Sequence, residues 1–126
     1  MSCFWDAIIR KLNSSEWSLL GLSGRVSPSV LCQQCKKKNR LVGDGILWQG
    51  KVISRQERSE HFEMIKDYGC HTWSGHLTSS CDSFLLLLTD ICCINIEHRG
   101  SYGVSNYTNP KAKRKIILHS NRGHMW

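Results

Sequence analysis

A chain of 126 residues, 40% of them apolar, can bury the core of one compact domain and is too apolar for wholesale disorder. Its net charge of +7 makes a basic surface that attracts acidic partners or keeps the protein in solution. No basic-then-apolar leader or lipidation motif is visible, and the apolar run 84–96 is too short for a bilayer, so no membrane association is expected.

The first predicted element is a helix headed by Cys3. Ser2 is its N-cap and Asp6 falls in the first turn, where negative charge suits the helix dipole. Phe4, Ile8 and Leu12 recur at helical spacing, and Trp5 and Ile9 widen the apolar stripe. A thiol at a helix N-terminus meets unpaired N–H groups and the positive end of the dipole, and both favour the reactive thiolate. The plainer reading of the same cysteine is a buried structural thiol.

Asn13-Ser14-Ser15 reads as a break, and residues 16–22 as a short apolar helical turn ended by Gly24. Ser27-Pro28 predicts the next helix, with Ser as N-cap and Pro at the first helical position. That helix carries Val30, Leu31 and Cys35 and ends in Lys36-Lys37-Lys38, cations suited to a helix C-terminus. Residues 39–50, with Gly43, Gly45 and Gly50, read as loop, with 46–49 packing down on the core. Ser54-Arg55-Gln56-Glu57 is a capping box that starts a helix over 55–68, and Gly69 stops it.

Ser79-x-x-Asp82 is a second cap-like pattern. The helix behind it holds Phe84-Leu85-Leu86-Leu87-Leu88, apolar on every side, and is expected to be the central buried helix. Residues 94–97 alternate and read as a strand, 99–103 as a turn, 104–107 as a second strand, and 115–119 as the last strand. Helices first and a small antiparallel sheet last make an α+β fold in a single domain over residues 1–126.

The chain closes with Ile116-Ile117-Leu118-His119-Ser120-Asn121-Arg122-Gly123-His124-Met125-Trp126, a β-rich run, a short loop and a histidine. A cysteine on an early helix and a histidine after a late strand is the layout of papain-like cysteine peptidases, whose nucleophile and base meet only in the fold.

Residue by residue, the likeness goes further. Cys3-Phe4-Trp5-Asp6-Ala7-Ile8 resembles the nucleophile helix of the ovarian-tumour (OTU) deubiquitinating cysteine peptidases. Tyr68-Gly69 with Trp73-Ser74-Gly75 resembles the segment before their central helix, and Ile94-Asn95-Ile96 the strand after it. Ile116-Ile117-Leu118 leading to His124-Met125-Trp126 resembles their strand and histidine loop. The likeness covers essentially the whole chain in order and is nearest to small OTU-like proteins of large DNA viruses.

The resemblance implies a thiol-dependent deubiquitinase with Cys3 as nucleophile and His124 as base. Trp73 and Gly75 would line the substrate channel. The expected partners are conjugates of ubiquitin or a similar modifier. A monomer in the cytoplasm is expected, the host's if the protein is viral, with no cofactor. The family's Asp-x-x-Cys loop has no counterpart among the two residues before Cys3. The alternative is therefore an inactive ubiquitin-binding module of the same fold.

Where the family often has Asp or Asn two residues after the histidine, this sequence has Trp126, whose indole N–H only donates. An α-carboxylate at Trp126 would offer a negative acceptor near that place. Asn106 or Asn121, or a dyad without a third member, are the other options.

Seven cysteines, an odd number, include the neighbours Cys92 and Cys93, so reduced thiols are expected rather than a disulfide framework. Cys32-Gln33-Gln34-Cys35 puts two thiols one helical turn apart. Zinc needs four converging ligands, and adding Cys70, His71, His76 or Cys81 matches no zinc spacing, so no metal is expected. The basic clusters at 36–40 and 111–115 read as solvated surface, with no nucleic-acid-binding motif beside them. A basic zinc- or nucleic-acid-binding protein is the reading from a different class.

Overall fold

The computed structural model describes residues 3–70, 79–101, 103–122 and 124–126, with residues 3, 79 and 80 described by their backbone only. Helix α1 spans Cys3–Ile9 and buries Phe4, Trp5, Ala7, Ile8 and Ile9. The Trp5 ring meets Phe84 edge-on at 4.8 Å, which seats α1 against the central helix.

The expected break at 13–15 is instead the start of α2, Ser14–Leu19. Asn13 Oδ1 accepts from the Glu16 N–H at 3.0 Å, and the Asn13 N–H donates to Glu16 Oε1 at 2.9 Å. This reciprocal capping box satisfies two backbone donors that a short helix would otherwise leave open. Helix α3, Pro28–Lys37, begins at the predicted Ser27 cap and buries Leu31, Cys32 and Cys35. Helix α4, Arg55–Asp67, begins at the predicted Ser54–Glu57 box and ends where Tyr68 turns extended.

Helix α5 spans Ser79–Ile91. Phe84, Leu85, Leu86, Leu87 and Leu88 are each at most 1% exposed, so the helix is covered on every side. It packs against α3, α4 and the sheet. Burying each such side chain stabilises the fold by about 1.5–3 kcal/mol. Among the described residues no helix is long and apolar enough to cross a membrane.

Five strands form one sheet: β1 Leu47–Trp48, β2 Lys51–Val52, β3 Asn95–Gly100, β4 Gly103–Thr108 and β5 Lys115–His119, in the order β2-β1-β4-β3-β5. Two expectations are corrected here. The stretch 39–50 is not all loop, since β1 and β2 form a hairpin that extends the sheet beyond β4. Gln49 and Gly50 turn it with φ of 55° and 73°, the left-handed pair that matches strand twist in a two-residue hairpin.

The sheet is also mixed rather than antiparallel, because β5 pairs with β3 in parallel, Asn95 opposite Lys115 through Arg99 opposite His119. The hairpin reverses β4 against β3, and the chain reverses again before β5, so β5 runs with β3. Residues 109–114 then cross the end of β3 to reach its free edge. The Asn109 N–H donates to Asn95 Oδ1 at 2.8 Å, and the Asn95 N–H to the Arg114 carbonyl at 2.9 Å, which fixes the crossing.

Candidate functional site

Beyond β5 the chain folds back on itself. Ser120 and Met125 form an antiparallel bridge. The His119 N–H donates to the Trp126 oxygen at 2.7 Å, and the Trp126 N–H donates to the His119 carbonyl at 2.8 Å. The Asn121 N–H donates to the His124 carbonyl at 2.9 Å and closes the turn. Strand periodicity then sorts the side chains. Met125 points into the core and is fully buried, whereas His124 and Trp126 share the exposed face.

On that face the His124 imidazole lies parallel to the Trp126 indole, centroids 5.5 Å apart and planes 16° from parallel. The His119 ring lies against the same indole at 5.7 Å and 14°. Trp126 is thus a flat support shared by two imidazoles. It meets His124 through its face. Its main-chain oxygen is engaged with the His119 N–H.

The expected residues divide as follows. His124 and Trp126 are in contact. Cys3 heads α1, and its side chain, like Trp73 and Gly75, lies outside the described residues. Asn106 is on β4, with β3 between it and β5, so it belongs to a different part of the sheet from the histidine hairpin. Asn121 holds the base of the turn through its main chain.

Two features beside the hairpin were not anticipated. One is His119, which joins the ring group through hairpin register, a relation that spacing does not reveal. The other is a contact of 2.7 Å between His98 Nε2 and Ser120 Oγ. It opens on a cleft of about 350 Å³ lined also by Gln49, Ser105 and Arg122. Gly100 makes room for that hydroxyl, since a Cβ there would stand 3.2 Å from Ser120 Oγ.

Among the described residues no group of three or more His, Cys, Asp or Glu is arranged to hold a metal ion. His71 and His76 lie outside the described residues. Comparison of the chain with protein-family models, with curated proteins and with solved structures finds no match.

Proposed function

We propose that the chain is an OTU-like thiol hydrolase acting on isopeptide bonds of ubiquitin or a similar modifier, with Cys3 as nucleophile and His124 as base. The observation that carries this reading is the C-terminal hairpin. It holds an accessible imidazole in a set orientation against Trp126, while its Met125 is anchored in the core that also buries α1, the helix headed by Cys3. Support for the substrate class comes from the sequence resemblance.

In this reading His124 takes the Cys3 thiol proton and the thiolate attacks the isopeptide carbonyl carbon. The imidazolium returns the proton to the departing lysine amine. Water then hydrolyses the thioester, freeing the carboxylate and restoring the thiol.

The test is a ubiquitin activity probe carrying a thiol-reactive C-terminus. Labelling should map to Cys3, vanish in Cys3→Ala and fall sharply in His124→Ala. A folded wild-type protein that takes no label would sink the reading.

A further inference from the structure

Cys32 and Cys35 stand one turn apart on the buried side of α3. Cys70 approaches them from just beyond α4. Its Sγ lies 2.7 Å from the Sγ of Cys32. That is longer than the ~2.05 Å of a covalent disulfide. It is nonetheless inside the roughly 3.5–4.0 Å optimum for carbon contacts, although sulfur is the larger atom. The nearest sulfur to Cys32 is therefore offered by a residue 38 positions away and not by its Cys-x-x-Cys partner.

The two thiols differ in access. Cys32 is 1% exposed and Cys70 is half-buried. Burial, then the contact with Cys70, pushes the Cys32 thiol well above its ordinary range, and the Lys36 ammonium opposes this. Lys36 is held nearby by donating to the Tyr68 carbonyl. Cys35 is also raised, by burial first and then by Cys92, Cys32 and Cys70. At rest the inner thiols are thus protonated, and Cys70 is the sulfur that a small oxidant reaches.

We propose that Cys32 and Cys70 are a redox pair that closes to a reversible disulfide under peroxide, fastening α3 to the end of α4. The Cys70 sulfur attacks one peroxide oxygen, the O–O bond breaks, and the departing oxygen takes the Cys70 thiol proton, so Cys70 becomes a sulfenic acid with release of one water. Cys32 sulfur then attacks the Cys70 sulfur. The S–O bond breaks, and the departing hydroxide leaves as a second water with the Cys32 proton. The two thiols lose two electrons and the peroxide gains them. A dithiol reductant reverses the bridge by exchange. Lys36 favours the negative charge that develops on the Cys32 sulfur.

The experiment uses the full chain, reduced, freed of reductant and treated with hydrogen peroxide. Peptide mapping without reduction should recover a cross-linked peptide joining Cys32 to Cys70, lost again on adding dithiothreitol. Closing the 38-residue span should raise the thermal midpoint by about 10 °C. Cys70→Ser should abolish both the cross-link and the rise, and Cys93→Ser should keep them. In Cys32→Ser, a sulfenic acid should accumulate at Cys70 and be trapped by dimedone. The proposal is overturned if wild type shows no Cys32–Cys70 peptide, if Cys32 bridges to Cys35 instead, or if Cys70 passes directly to sulfinic acid. Because the mapping is done on wild type, it decides the matter even if a serine variant folds poorly.

Discussion

The indole of Trp126 lies nearly parallel to the imidazole of His124, with ring centroids 5.5 Å apart. Position 126 thus offers that ring an aromatic plane rather than an acidic side chain, and His119 lies against the same indole.

On the proposed chemistry, Trp126→Ala should lower kcat about tenfold through loss of imidazole orientation, with a smaller effect on KM. Trp126→Phe keeps a flat face and should retain most of the rate. Steady-state hydrolysis of a fluorogenic ubiquitin amide reads both. If the alanine variant turns over as fast as wild type, the stacking has no positioning role.

The carboxylate of Glu16 is buried, and Arg114 Nη1 reaches its Oε1 at 3.2 Å. Arg114 Nη2 also donates to the Lys11 carbonyl at 2.6 Å. Removing Arg114 leaves a buried negative charge with only its capping bond. Breaking a fully buried pair costs about 3–5 kcal/mol, but Arg114 is partly open to solvent, so Arg114→Ala should cost about 2 kcal/mol. Glu16→Gln keeps the capping box and removes the charge, so adding it to Arg114→Ala should recover part of the loss. Urea unfolding of the two singles and the double measures the coupling. Strict additivity would mean that the pair does not interact.

How far the sequence foretold this fold depends on what each signal encodes. Caps at Ser27-Pro28 and Ser54–Glu57, and the run from Phe84 to Leu88, are local and were readable. So was β5 at Lys115–His119, where β-branched and apolar residues cluster. Strands β1 and β2 have two residues each, too few for alternation to register. Strand periodicity gives the face of a residue but not the neighbouring strand, so the parallel β3–β5 pairing escaped. In the candidate site, the sequence names His124 and Trp126 but reads their segment as a loop; their shared face comes from the bridge between Ser120 and Met125. His119 and the Cys32–Cys70 contact depend on register and on long-range packing, which no short window carries.

Several buried acids resist ionisation. Burial, then the nearby Glu16 charge, pushes the Cys92 thiol from its ordinary 9.0 up to about 12. Cys35 is raised by burial and by neighbouring cysteines, and Tyr107 by burial and by the Asp82 carboxylate that its hydroxyl meets. Because the folded values lie above the unfolded ones, stability is full below about pH 9 and falls as pH rises through the folded values. Urea midpoints should hold up to about pH 8 and drop by about pH 11, with Cys92→Ala showing a shallower fall than wild type. An identical fall in both proteins would remove Cys92 from the account.

Helix α5 stops without a glycine. The Cys92 N–H still donates to the Leu88 carbonyl at 2.9 Å, and the next residue, Cys93, turns the chain with φ of 53°. This is the left-handed position after a helix that glycine or asparagine usually fills. For a side chain with a Cβ the conformation costs roughly 1–2 kcal/mol. Glycine would relieve that but lose more backbone freedom on folding, about 0.5–1 kcal/mol. Cys93 is only half-buried, so little packing is lost with its sulfur. The relief is the larger effect, and Cys93→Gly should stabilise the fold by about 0.5 kcal/mol or slightly more. Cys93→Val, β-branched and poorly suited to positive φ, should destabilise it by about 1 kcal/mol. Denaturant midpoints with unchanged slopes would establish the order Gly above Cys above Val. If the glycine variant is the least stable of the three, the left-handed turn at Cys93 is not what limits this junction.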